Sequence, residues 1–169
     1  LFLQDYINED IEHITYLDCD AFCINDPTPL INETIEKMMS SKFTISTLLE
    51  PGLSNHSINF LNMKSNKYFN AGVMIIDLKK WKANDLKNKS LKIIEENKEK
   101  LLFWDQDVLN LYFDDQYEPL PIALNFKVDI EIGNNKNNFT KNEKKDVSIL
   151  HYSGKFKPWS VRGAVNDNP

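Results

Sequence analysis

Asp18 and Asp20, one residue apart, close an apolar run at residues 11–17, and a histidine, a glycine and a lysine recur near the other end in His151-Tyr152-Ser153-Gly154-Lys155-Phe156-Lys157-Pro158-Trp159. The run reads as a buried strand over residues 11–24. Side chains on a strand alternate faces, so Asp18 and Asp20 are expected to point one way and Cys19 the other. Two adjacent carboxylates repel, and burying them is costly without a cation. A divalent metal is the simplest remedy. The second segment offers an imidazole, a flexible glycine turn and, three residues on, a lysine. Two oxygen ligands, one nitrogen ligand and a fixed positive charge are the parts needed to hold a metal-bound diphosphate. Each part also has a plain reading. Paired aspartates end many solvated strands, a lone histidine is commonly structural, and a surface lysine is the plain reading of Lys157 and, more strongly, of Lys155.

The elements that must position these groups can be read from periodicity. Asn25-Asp26-Pro27-Thr28-Pro29 is a breaker cluster. Residues 30–39 follow as a short amphipathic helix, and residues 43–48 as a strand. Residues 51–66 are polar and irregular and read as a surface loop. Residues 68–78 enclose an apolar run at 71–76, expected to be a central strand, with Gly72 marking a close backbone approach. Residues 79–103 read as two helices broken near Asn88-Lys89-Ser90, and residues 105–113 as another helix with Asp105 at or near its N-cap. Residues 120–132 look extended. Residues 133–146, rich in Asn and Lys, read as a mobile loop. Residues 147–152 form a short strand delivering His151 to its end. Tyr68, Phe69, Phe103 and Trp104 are expected in the core. Strands alternating with helices imply a single α/β domain over residues 1–169, with a mixed, mostly parallel sheet flanked by helices. Such sheets bind ligands at the carboxyl ends of their strands.

At 169 residues, 41% hydrophobic and 27% charged, the chain can bury a core of ordinary size. A net charge of -5 excludes non-specific nucleic-acid binding, which needs a basic face. No run approaches the roughly 20 apolar residues of a membrane span. The first residues, Leu1-Phe2-Leu3-Gln4-Asp5, do not read as a signal peptide, and without a starting methionine they suggest a fragment or a processed chain. Cys19 and Cys23 are too far apart on an extended strand for a disulfide. They read as buried, reduced thiols in a cytoplasmic protein, and no second Cys/His pair has the spacing of a zinc site. The N-x-S/T patterns at Asn32, Asn55, Asn88 and Asn138 are expected by chance in a chain this rich in asparagine.

Four blocks in order resemble those of glycosyltransferase family 8, retaining enzymes that use a nucleotide sugar and a divalent metal. Tyr16-Leu17-Asp18-Cys19-Asp20 resembles the D-x-D block. Tyr68-Phe69-Asn70-Ala71-Gly72-Val73, continuing through Ile76-Asp77-Leu78 to Trp81, resembles the F-N-A-G strand. Asp105-Gln106-Asp107-Val108-Leu109-Asn110 resembles the D-Q-D helix start, and His151 to Trp159 the H-x-x-G-x-x-K-P-W closing block. The last two are nearest in wording to bacterial lipopolysaccharide core hexosyltransferases. The resemblance implies a partial GT-A-type, Rossmann-like domain. It implies Asp18, Asp20 and His151 as ligands of manganese, with magnesium the alternative, and Asp20 as the most direct. Asp105 would contact donor-sugar hydroxyls, and Gln106 would lie near the anomeric carbon. Asn70, Ala71 and Gly72 would line the donor pocket, Gly154 would admit the diphosphate, and Lys157 would meet the leaving phosphate.

Family members carry a further stretch before the D-x-D block that holds most of the base- and ribose-binding residues. The resemblance therefore implies the metal-binding and catalytic portion of a domain truncated at its N-terminus. The expected activity is transfer of glucose or galactose from a UDP-sugar to a saccharide acceptor such as lipopolysaccharide core, at the inner face of the membrane if the acceptor is lipid-linked. One alternative is a non-enzymatic or degenerate sugar-nucleotide-binding fragment. Another is a phosphatase of the haloacid dehalogenase type, which also opens on D-x-D but wants a hydroxylated residue soon afterwards. Ala21-Phe22-Cys23 supplies none.

Overall fold

A computed structural model describes residues 1–50, 54–128, 143–155 and 157–161. The strands are β1 (His13–Leu17), β2 (Ala21–Cys23), β3 (Ile45–Leu49), β4 (Phe69–Asp77), β5 (Glu118–Pro119), β6 (Phe126–Lys127) and β7 (Ile149–His151). The helices are α1 (Thr28–Met39), α2 (Ser54–Leu61), α3 (Leu78–Ala83), α4 (Leu86–Asn97), α5 (Trp104–Phe113) and α6 (Glu143–Asp146). Two sheets form among the described residues, in the orders β1-β4-β3-β5 and β2-β7-β6. β4 is the spine: all nine of its residues are buried. On one face Phe69, Met74 and Ile76 pack with Trp81, Leu109 and Phe113. On the other, Val73 and Ile75 pack with Met38, Leu124 and Ile149.

The side chains of β4 do not keep strict alternation. Phe69 and Ala71 share a core with Met74 and Ile76, so the parity slips by one between Ala71 and Met74. The ladder with β3 shifts register at the same place, where Thr47 pairs with Met74 and Leu48 with Asn70. Such irregularities re-aim side chains beside functional sites. Here the slip removes Ala71 and Gly72 from the β3 ladder and frees their backbone for other partners.

The mixed α/β class holds, but the balance of directions differs from expectation. β1–β4, β3–β4 and β2–β7 are antiparallel, whereas β3–β5 and β6–β7 are parallel. β1 and β3 run the same way, as alternation of strand and helix predicts, but β4 inserts between them in the opposite sense. The expected strand over residues 11–24 is two strands in different sheets. The chain turns at Asp18, whose carbonyl accepts from Ala21 N at 3.0 Å. β2 is an edge strand, and both cysteines are exposed and free rather than buried.

Other corrections are local. The stretch read as a loop contains α2, held by buried Ser57 and Leu61 at helical spacing. The helical break falls at Asn84 and Asp85 rather than at 88–90, because Asp85 takes a left-handed φ of 51° and Ser90 is buried inside α4. Of the extended segment expected over residues 120–132, Ile122–Leu124 form a 3-10 turn after Pro121, Phe126–Lys127 are β6, and residues 129–132 lie outside the described residues. Of the expected mobile loop, residues 143–146 are α6 and the rest lie outside the described residues. Tyr68 and Phe69 are in the core, but Phe103 and Trp104 are 39% and 79% exposed. No helix among the described residues is long and apolar enough to cross a membrane.

A candidate metal centre and donor cavity

The turn carrying Asp18 and Asp20 is tied to both sheets. Asp18 N donates to Gly72 O at 2.8 Å, and Tyr152 N donates to Asp20 O at 3.0 Å. Ala21 pairs with His151 across the β2–β7 ladder. The two aspartates therefore converge through a turn, and not through strand alternation. Nε2 of His151 lies 3.3 Å from Asp20 Oδ1 and 4.0 Å from Asp18 Oδ2. One ligand atom from each of the three residues falls within 4.8 Å of the others. Ligands on opposite sides of a small divalent ion are about 4.2 Å apart, so the spacing suits a shared cation.

Three further observations support the fit. Asp20 Oδ1 is buried without a hydrogen-bond partner, although it is the oxygen nearest the imidazole. A Cβ at Gly72 would stand 2.1 Å from His151 Cε1 and 2.9 Å from Asp18 Oδ2, so the close approach expected at this glycine is to the ligand side chains themselves. Burial pushes the His151 imidazole below its usual range, against the opposing pull of Asp20 and Asp18, which keeps the ring neutral and able to ligate. The affinity of this cluster for a divalent cation should therefore hold as the pH falls to the ordinary histidine value of 6.5 and decline only below it. Calorimetric titrations across that range check this, and a decline setting in well above 6.5 would contradict it.

The rest of the cluster is held in place. Tyr16 Oη donates to Asp18 Oδ1 at 2.7 Å. His151 Nδ1 lies 2.9 Å from Oδ1 of the fully buried Asn125. Lys157 Nζ donates to Asp20 Oδ2 at 2.5 Å and to the Tyr152 carbonyl, so the lysine neutralises the second aspartate. Gly154 lies on the bend that returns Lys157 to Asp20.

Beside the cluster is a cavity of about 370 Å³ lined by Asp18, by Ala71 and Gly72, and by residues 102–106, which include Asp105 and Gln106. Gln106 is fixed at both ends: its Oε1 accepts from Ala71 N at 2.9 Å and its Nε2 donates to Tyr68 Oη at 3.1 Å. Asp105 is exposed on the first turn of α5 and does not cap it. Asp107 has that task, since its Oδ2 accepts from Phe103 N at 2.7 Å while its Oδ1 accepts from Tyr68 Oη at 2.5 Å. Burial, then Asp107, hold the Tyr68 phenol protonated far above its ordinary range. Asp107→Ala would strand the buried Tyr68 hydroxyl and remove the acceptor of the part-buried Phe103 N–H. A stability loss of about 2–5 kcal/mol is expected, read by denaturant unfolding; an unchanged midpoint would refute the role.

Eight of the expected residues thus gather in one place: Asp18, Asp20, His151, Lys157, Ala71, Gly72, Asp105 and Gln106. Asn70 instead lies behind the cavity wall. Its Oδ1 accepts from Gly72 N and Asn125 Nδ2, and its Nδ2 reaches Glu50 Oε2 at 3.2 Å. Tyr16, Asn125, Tyr68 and Asp107 were not anticipated as site residues. Tyr16, Tyr68 and Asp107 lay inside recognised blocks without a role assigned to them, whereas Asn125 lay outside all four.

The glycosyl transferase family 8 model matches residues 1–163. The chain is 29% identical over 164 residues to general stress protein A of Bacillus subtilis (strain 168), covering 90% of this chain and 54% of that protein. It is 28% identical over 163 residues to a lipopolysaccharide 1,2-glucosyltransferase of Escherichia coli, covering 92% and 47% respectively. Among solved structures it matches the galactosyltransferase LgtC in complex with donor and acceptor sugar analogs, with a TM-score of 0.74, 25% identity, and coverage of 96% of this chain and 59% of that one. The chain spans about half the length of these curated relatives. The fold is that of the GT-A glycosyltransferases, which excludes the haloacid dehalogenase alternative. With the model matched along nearly the whole sequence, three of the four blocks lining one cavity and the fourth bringing His151 against Asp18 and Asp20, the chain belongs to glycosyl transferase family 8.

Proposed function

We propose that this chain carries the metal-binding and catalytic portion of a retaining hexosyltransferase that moves glucose or galactose from a UDP-sugar to a saccharide acceptor such as lipopolysaccharide core. The observation that carries this reading is the convergence of Asp18, Asp20 and His151 beside the cavity walled by Asp105 and Gln106. Relatives named as lipopolysaccharide glucosyl- and galactosyltransferases support the choice of donor sugar and acceptor. A lipid-linked acceptor would place the work at the cytoplasmic face of a membrane.

Asp18, Asp20 and His151 would hold manganese, with magnesium the alternative. When bound, the ion supplies Lewis-acid neutralisation of charge on the departing diphosphate. Lys157, already within reach of Asp20, adds a positive charge on the same side, and such a pre-aimed contact is typically worth about 3 kcal/mol in the transition state. Asp105, exposed at the cavity, would accept hydrogen bonds from donor-sugar hydroxyls. Gln106 is held rigid by Ala71 and Tyr68 and would present its amide to the sugar without reacting. An amide is a poor nucleophile, which favours attack of the acceptor from the face the diphosphate leaves.

Calorimetric titration of UDP, first with manganese and then with EDTA, tests the reading. Binding that requires manganese and disappears in Asp20→Asn supports it. No binding by the folded protein would favour a degenerate fragment.

A further inference from the structure

Behind the metal cluster runs a buried chain of side-chain amides that the reaction outlined above does not use. Its direction is fixed by two groups whose hydrogen-bonding sense is unambiguous. Gly72 N–H can only donate, and it lies 3.0 Å from Asn70 Oδ1. The Glu50 carboxylate, paired at its other oxygen with Lys127 at 2.5 Å, only accepts, and it lies 3.2 Å from Asn70 Nδ2. These two contacts set the Asn70 amide. Asn70 Oδ1 then faces Asn125 Nδ2 at 3.0 Å, which sets the Asn125 amide in turn. What remains to Asn125 is its carbonyl oxygen, 2.9 Å from His151 Nδ1. A carbonyl oxygen only accepts, so Nδ1 carries the proton. In a neutral imidazole the other nitrogen is then bare, and Nε2 turns its lone pair toward Asp18 and Asp20.

This arrangement opposes the local electrostatics of the protein alone. With both carboxylates near Nε2, the preferred tautomer would place the proton there and donate it to Asp20 Oδ1, 3.3 Å away. The amide chain forbids that, and Asp20 Oδ1 is accordingly left without a donor. Both defects, a bare nitrogen and an unpaired buried oxygen, disappear when a cation sits between them.

We propose that Asn125 is a positioning residue that holds His151 in its Nδ1–H tautomer and, through Asn70, ties the metal-facing nitrogen to the wall of the donor cavity. The inference rests on the metal reading given above. Outer partners that orient a ligating histidine commonly change metal affinity about ten- to a hundred-fold when removed.

The test is nitrogen-15 histidine NMR of the metal-free protein at mildly alkaline pH, followed by titration with manganese alone. Wild type should show the Nδ1–H tautomer for His151, identified by its loss in His151→Ala. Asn125→Leu should shift the ring to Nε2–H and weaken manganese binding about ten- to a hundred-fold. Asn125→Asp can still accept from Nδ1–H and should retain the tautomer, which keeps the test open if the leucine variant does not fold. An Nε2–H signal in wild type would overturn the proposal, as would a folded Asn125→Leu with unchanged tautomer and affinity. Neither measurement uses a sugar donor. Failure of the transferase reading would leave the signals as described, whereas failure of the Asn125 assignment would appear in the metal-free tautomer of wild type or of Asn125→Leu.

Discussion

Under the proposed function, Asp20→Asn and His151→Ala in the intact enzyme should each lower manganese-dependent turnover of a UDP-sugar by about a thousand-fold, equivalent to about 4 kcal/mol in the transition state. Asp20 supplies the buried oxygen that no hydrogen bond satisfies, and its other oxygen holds Lys157 at 2.5 Å. The asparagine variant therefore loses a charged ligand and the anchor of the lysine together. His151 is 2% exposed and supplies the nitrogen donor, and alanine there leaves two carboxylates facing an empty volume. Both variants should remain folded, because neither side chain belongs to the two hydrophobic clusters around β4. Steady-state turnover with and without manganese, alongside thermal unfolding, makes the measurement. Near-normal turnover in both variants would sink the metal assignment.

Gly72→Ala should be nearly as damaging, by a different physical route. Its added methyl carbon would lie 2.1 Å from His151 Cε1 and 2.8 Å from Nε2, well inside van der Waals contact. The imidazole cannot move aside freely, since it is buried, sits on the β7 ladder and is bonded to Asn125. Overpacking of this kind costs about 1–3 kcal/mol. In a domain of this size each kcal/mol lowers the melting temperature by about 2–4 °C. Manganese affinity should fall with it, because the methyl group would displace His151 and Asp18 simultaneously. A variant with wild-type melting temperature and wild-type manganese affinity would show that the ring and the glycine do not pack as described.

Much of this site was legible before folding. The apolar run at residues 71–76 marks β4, and its length and lack of charge announce a strand buried on both faces. His151 at the end of a short apolar segment, and the D-x-D pair at the end of another, point to strand ends facing one cavity. What misled was local continuity. Residues 11–24 contain no proline or glycine, so nothing in them signals the turn at Asp18 that sends β1 and β2 to separate sheets. That turn depends on Gly72 O and on the β7 ladder, both more than fifty residues away in sequence. The exposure of Cys19 and Cys23 follows from the same turn and the edge position of β2. The helix at residues 54–61 was obscured by its polar composition, since a helix with few apolar positions has a weak periodic signal.

The identities of the reactive groups, their order and the class of fold were determined by the sequence alone. Carboxylates, an imidazole and a lysine carry their chemistry wherever they are placed, and hydrophobic periodicity reports which segments must be buried. The tertiary structure decided how those groups meet. A register slip in β4 frees Ala71 N for Gln106 and Gly72 for Asp18 and Asn70. Asn125, in a segment with no chemical signature, reaches the back of His151. Contacts of this kind depend on the relative placement of sheets distant along the chain, and local propensity carries no information about that placement.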